Sequence, residues 1–186
     1  RRWLAAYASS SSTTTAYSRI LDATTGGDGN QPAKTTTISY RDHLTQLWLL
    51  DPVPGWTPAG NPIRRLQQAP KHQLADPALA ARLLDLSATS LLGPAGAHMT
   101  GPLFESLVTL GVRVGAQAAE ATVSHLRLTG GDREVDLIVQ GVEGQVLGIE
   151  VKLSVEVDDS DVRHLKWLRE QIPGHVADLV VVTTGT

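Results

Sequence analysis

The chain contains no cysteine. Disulfide cross-links and cysteine-ligated zinc are excluded, and the composition fits a reducing compartment, so a cytoplasmic location is the expectation. Long hydrophobic runs are missing as well. No segment approaches the roughly 20 apolar residues that a bilayer span needs, and the opening RRWLAAYASSSS lacks the apolar centre of a secretory signal. No membrane partner is therefore expected. The phosphate-cradling pattern G-x-x-x-x-G-K-[ST] is absent, so no nucleotide site of the P-loop type is expected. His72, His98, His125, His164 and His175 show no paired ligand spacing, which argues against a histidine metal centre. The sequence also lacks an initiator methionine and starts inside a helical pattern, as a piece of a longer protein would.

What is present is enough for a core. The 186 residues are 41% hydrophobic, sufficient for one ordinary domain or two small ones. The formal net charge of −3 gives no general attraction for nucleic acid, although a local basic patch remains compatible with it. Arginine outnumbers lysine twelve to four. The clearest break is LLGPAGAHMTG at 91–101, where Gly and Pro interrupt the pattern; it divides the chain into regions 1–95 and 96–186.

The upstream region reads as helical. AYSRILDATT and TTTISYRDHLTQLWLL predict helices separated by the loop GGDGNQPAK, with Ile38, His43, Leu44, Leu47 and Trp48 at helical spacing. IRRLQQAPKHQLA reads as extended, and Asp76-Pro77 is an N-cap followed by proline at the first helical position. The downstream region predicts a helix over MTGPLFESLVTLGVRVGA with Leu103, Leu107, Leu110 and Val114 on one side. Strands ATVSHLRL, REVDLIVQ and QVLGIEVKLS come next, then the helix DVRHLKWLREQI with its stripe Val162, Leu165, Leu168 and Ile172. ADLVVVTTG closes the order α-β-β-β-α-β as a run of the kind covered on both faces. The fold class is α/β, a mixed sheet flanked by helices. Trp48, Trp56 and Trp167 are read as packing residues.

Three charges stand out among the apolar residues of two neighbouring strands. Alternation places Glu150 and Lys152 on one face, with Ile149, Val151 and Leu153 on the other, and Asp136 occupies the equivalent setting in the preceding strand. If the strands pair through their short turn, the two carboxylates can reach one point and hold Mg²⁺ or Mn²⁺, Lys152 can orient or deprotonate a water, and Glu105 on the preceding helix can complete the shell. The plainer reading is an exposed sheet edge whose Glu and Lys pair across solvent, worth about 0 to 1 kcal/mol.

Asp136, a dozen residues, then Glu150-Val151-Lys152, with Glu105 upstream, resembles the PD-(D/E)XK nuclease superfamily, with Val135 standing where many members have proline. The resemblance implies a restriction-endonuclease-like core in which Asp136 and Glu150 bind metal, Lys152 assists catalysis and Arg163 or Lys166 joins in. RRWLAAYA, KTTTISYRDHLTQLWLLDPVPGW, KHQLADPALAARLL, GPLFESLV, REVDLIV and IEVKLS together resemble the DUF4143-type C-terminal domain that follows a P-loop ATPase domain in a prokaryotic family. That likeness implies a winged-helix-like first half and an ATPase domain as partner in the same chain. TTTISYRDHL would then be a recognition helix presenting Thr36, Thr37, Ser39, Arg41 and His43 to nucleic acid, DNA in particular. Arg64, Arg65 and Lys71 would meet phosphates. The function expected is metal-dependent phosphodiester hydrolysis; the competing expectation is a catalytically inactive DNA- or protein-binding regulatory module of the ATPase.

Overall fold

Periodicity in the second half of the chain translates directly into a sheet. In the computed structural model, which describes residues 1–25, 33–58, 63 and 65–185 (Thr25 and Lys34 by their backbone alone), the helices are α1 Arg2–Ala8, α2 Tyr17–Thr25, α3 Lys34–Gln46, α4 Pro77–Leu83, α5 Ala88–Leu91, α6 Ala97–Ala118 and α7 Arg163–Gln171. The strands are β1 Thr122–Arg127, β2 Glu134–Gln140, β3 Val146–Lys152 and β4 Val176–Thr183. They form one four-stranded mixed sheet in the order β1-β2-β3-β4, the first three antiparallel and β4 parallel to β3 across α7. Among the described residues no helix is long and apolar enough to cross a membrane.

The chain folds into two compact units that interleave in sequence. Residues 1–52 and 71–107 form the first, and 53–70 and 108–186 the second. The Gly- and Pro-bearing stretch at 91–101 leads into α6, which begins at Ala97 and carries Pro102 within it. In the first unit Tyr7, Ile20, Leu50, Leu74, Ala80, Met99 and Leu103 share a core, and Leu50 bridges Leu74. Asp76 caps α4 as expected, its Oδ1 accepting the Ala78 N–H at 2.7 Å ahead of Pro77. The apolar spacing in α3 does not produce a buried stripe. Leu47 and Trp48 lie beyond the helix, and Trp48 is 79% exposed with φ +57°, so it is not a packing residue.

In the second unit both sheet faces are covered. Trp56, Ile63, Leu126, Val135 and Ile138 pack with Leu165, Leu168 and Ile172 of α7 on one face. On the other, Val53, Leu137 and Ile149 meet Val108 and Val112 of α6. The expected stripe on α6 is kept in part: Leu103 is buried and Leu110 half-buried, whereas Leu107 is 55% exposed and Val114 is also exposed, and Ser106, Thr109 and Ala116 are buried instead. The α7 stripe is as expected at Leu165, Leu168 and Ile172. β4 is covered on both faces as read, Leu179 and Val181 packing on the α7 side and Val182 on the other, but as the last strand of the sheet it leaves them only half-buried.

Two local features set the geometry around the three charges. Between the pairs Ser124–Ile138 and Leu126–Val135, β1 advances two residues and β2 three, so Asp136 and Leu137 together oppose His125 in a β-bulge. A bulge bends its strand and re-aims the side chains in it. Gly148 in β3 lies under α7: a Cβ there would stand 3.0 to 3.2 Å from the Leu179, Leu168 and Leu165 methyls, which would have to give by a few tenths of an ångström.

Candidate active site

Asp136, Glu150 and Lys152 meet at one end of the sheet. β2 starts at Glu134 and β3 ends at Lys152, and the antiparallel pairing of Leu137 with Ile149 sets Asp136 beside Glu150. The Asp136 Oδ2 accepts the Val151 N–H at 2.9 Å, which ties the carboxylate of the bulge to the backbone between the other two residues. Glu150 is 8% exposed, and its Oε1 lies 2.9 Å from the Lys152 Nζ. Lys152 and Glu150 share a face, and Ile149 and Val151 join the α6 side of the core, as strand alternation requires.

Sequence reasoning did not identify the groups that α7 and the turn before it add. Asp161 places its Oδ1 3.8 Å from Lys152 Nζ, giving the ammonium a second carboxylate. It is set by a turn in which the Asp158 Oδ1 accepts the N–H of Ser160 and of Asp161 and the Ser160 hydroxyl. His164 sets Nδ1 2.8 Å from the Glu134 carbonyl and 3.3 Å from the Glu134 N–H, and its Nε2 accepts the Arg163 Nε–H at 2.9 Å. With Nε2 an acceptor, the shorter Nδ1 contact is the one that suits the neutral ring. The acidic turn EVDDSD was the one visible sign of Asp161; nothing in the sequence pointed to His164.

The electrostatics favour charge on the lysine and none on the histidine. Partial burial depresses the Lys152 ammonium, but its hydrogen bond to Glu150 and the charges of Glu150, Asp136 and Asp161 outweigh this and raise its pKa. These neighbours hold Lys152 as an ammonium, the form that orients a water or offsets phosphate charge. His164 is lowered, first by burial and then by Arg163, Arg133 and Lys152, against its bond to Glu134.

The remaining sequence candidates have settings of their own. Glu105 belongs to the first unit, where its Oε1 accepts from Lys71 Nζ at 2.9 Å; that lysine is 1% exposed, so it meets no phosphate from solvent. Thr37 is buried and its hydroxyl donates to the Ala33 carbonyl within α3, which removes it from any groove-facing set; Thr36 and Ser39 are exposed. Arg41 engages Asp42 at 3.1 Å and lies 4.8 Å over the Tyr17 ring. Arg64 lies outside the described residues, and Arg65 donates from Nη2 to the Thr129 carbonyl at 2.8 Å in the second unit. Lys166 is held by Asp159 at 2.7 Å.

The donor set suits a hard divalent ion of one kind. Mg²⁺ commonly rests on one or two carboxylates and fills its other positions with water and substrate oxygens. Asp136 and Glu150 are the two carboxylates here of that chemical kind. Among the described residues no group of three or more acidic or histidine side chains converges, so an all-protein cage does not fit. No curated protein and no solved structure matches the chain. Residues 1–90 match the model of a family described as a domain of unknown function (DUF8612), and residues 100–186, which hold the whole sheet and all three charges, match that of the domain of unknown function DUF4143.

Proposed function

We propose that the sheet-bearing unit is a PD-(D/E)XK nuclease-like module that hydrolyses phosphodiester bonds in nucleic acid, within a C-terminal portion of a prokaryotic ATPase whose helical unit is winged-helix-like. One observation carries the reading: a buried glutamate and a lysine bonded at 2.9 Å, beside an aspartate in a β-bulge that hydrogen-bonds the residue between them. The α-β-β-β-α-β order supports it.

Asp136 and Glu150 would hold Mg²⁺ or Mn²⁺, which when bound supplies an activated water and neutralises phosphate charge. The protein's own groups do the positioning. The Val151 N–H fixes the Asp136 carboxylate, so it needs no reorganisation when substrate arrives. Lys152, kept cationic, offers a charge-assisted hydrogen bond to a phosphate oxygen, and Asp161 steadies it from the turn before α7. The absence of a third converging ligand among the described residues favours a second reading, a regulatory module that docks on DNA, a protein or the ATPase domain without turnover.

Cleavage of labelled single- and double-stranded DNA and RNA with Mg²⁺ or Mn²⁺ tests these readings. Hydrolysis abolished by Asp136→Ala, Glu150→Ala and Lys152→Ala is the expected outcome. Cleavage that survives all three assigns the activity to a contaminant, and its absence in the wild type leaves the regulatory reading.

A further inference from the structure

The β1–β2 turn is flanked by arginines. Gly130 and Gly131 both take left-handed backbone, φ +106° and +75°, and so present no side chain. A Cβ on Gly130 would lie 3.4 Å from Arg65 Nη2 and 3.7 Å from Asp132 Oδ1, and one on Gly131 would lie 3.1 Å from Arg127 Nη2, so a guanidinium rests against each glycine and the Asp132 carboxylate shares the turn. Arg65 itself has φ +66°, a region that costs a non-glycine residue about 1 kcal/mol or more. Three bonds hold it there. Its carbonyl accepts the Thr129 N–H at 2.7 Å and the Thr129 hydroxyl at 3.0 Å, and its guanidinium donates to the Thr129 carbonyl.

The cations continue onto α7. Arg133, just past the turn, lies with its guanidinium 5.7 Å from the centre of the Trp167 ring, and Arg163 is exposed beside His164, which is bonded to Glu134 at the start of β2. Arg127 is neutralised by Glu134 at 3.0 Å, but among the described residues no carboxylate lies within ion-pair distance of Arg65, Arg133 or Arg163. The turn stands at the Asp136, Glu150 and Lys152 end of the sheet, since it leads directly into Glu134. In the turn before α7, Glu156, Asp158 and Asp159 are exposed and repel a polyanion, and Lys166 is already engaged by Asp159.

From this asymmetry we infer that Arg65, Arg133 and Arg163 form a phosphate track that holds the backbone of a nucleic-acid strand leading into the site. The inference rests on the reading of Asp136, Glu150 and Lys152 as a phosphodiester site. It adds the direction of approach and the groups that set affinity without touching the bond to be cleaved. An arginine that contacts phosphate contributes to binding by releasing counterions, so its loss weakens all sequences alike and reduces the salt dependence.

The test is fluorescence anisotropy of a labelled oligonucleotide titrated with the full chain over a salt series, in EDTA so that no hydrolysis occurs. Arg133→Ala and Arg163→Ala are each expected to weaken binding by about 3- to 10-fold and to lower the salt slope by about 1. Arg133→Lys and Arg163→Lys should keep most of the slope, because the charge remains. Arg65 also braces the turn, so Arg65→Lys replaces the alanine variant if that one melts early. Arg169→Ala, at the far end of α7, should match the wild type. Wild-type affinity and slope in Arg133→Ala/Arg163→Ala, or no salt-dependent binding by the wild type at low salt, overturns the track. Arginine-dependent binding without cleavage in Mn²⁺ would retain the track and remove the hydrolytic reading; cleavage with an unchanged slope in the double variant would do the reverse.

Discussion

Lys152 holds its ammonium between Glu150 at 2.9 Å and Asp161 at 3.8 Å, so a change at this one residue separates charge from packing. Its side chain is about one-third exposed, and the ion pair itself contributes only on the order of 1 kcal/mol to stability. Lys152→Ala should therefore melt within a few degrees of the wild type yet lose roughly 100-fold or more in cleavage rate, the scale on which oxyanion-stabilising groups act. Equal losses in melting temperature and rate would instead assign the lysine a structural role. Glu105 gives the opposite expectation. It is bonded to a lysine that is fully inside the first unit, and breaking a buried pair of this kind costs on the order of 3 kcal/mol. Glu105→Gln is expected to lower the denaturation midpoint markedly, and a variant as stable as the wild type but inactive would return Glu105 to the catalytic set. At this scale the sequence was legible where residues are out of character. Asp136, Glu150 and Lys152 are charges in runs of Val, Ile and Leu, and that oddness marks them. Asp161, Arg133 and His164 sit in polar surroundings, where nothing in composition distinguishes a surface charge from a site residue.

The contact between α7 and β3 is what brings Asp161 and His164 to the strand ends, and it depends on Gly148. Three leucine methyls lie within 3.0 to 3.2 Å of where a Cβ would be, so Gly148→Ala must push the helix or its side chains outward. Overpacking of this type costs about 1 to 3 kcal/mol. Gly148→Ala should lower the denaturation midpoint and, by moving α7, lengthen the Lys152–Asp161 contact, which lowers the lysine's pKa when measured by NMR. An unchanged midpoint would show that the leucines give way freely. Strong periodicity made β2, β3 and α7 readable as elements. The bulge at Asp136 was not readable, because it is defined by which residues of β1 oppose it, a long-range choice of register. The edge position of β4 was not readable for a related reason: a run of four apolar residues looks the same whether a strand lies inside a sheet or ends it.

Across the whole molecule, stability should respond to acid through histidines held neutral. His72 lies fully buried between the edges of Tyr7 and Tyr17, with its Nε2 2.6 Å from the Thr15 carbonyl, and its pKa is lowered by burial first and by Arg41 as well, against that bond. A depressed histidine lets the unfolded chain take up a proton that the folded chain refuses. Stability is therefore complete above about pH 6.5 and falls as the pH drops below it, by at most about 1.4 kcal/mol per pH unit for one proton. The unfolding midpoint should decline between about pH 6.5 and 5 in the wild type and less steeply in His72→Gln; a flat wild-type profile would contradict the assignment. The division of the chain was only partly legible at this scale. The Gly and Pro at 91–101 signal an interruption, whereas the return of 53–70 to the sheet-bearing unit depends on the bridges Gly55–His125 and Leu66–Leu128, which no local signal announces. The central claim, that Asp136 and Glu150 together hold a divalent ion, is tested most directly by the melting temperature in EDTA and in excess Mn²⁺. A ligand at about 100 times its Kd adds about 2.7 kcal/mol of stability. The wild type should rise by several degrees with Mn²⁺, and Asp136→Ala and Glu150→Ala should not; a rise of the same size in all three proteins, or none in the wild type, would contradict the claim.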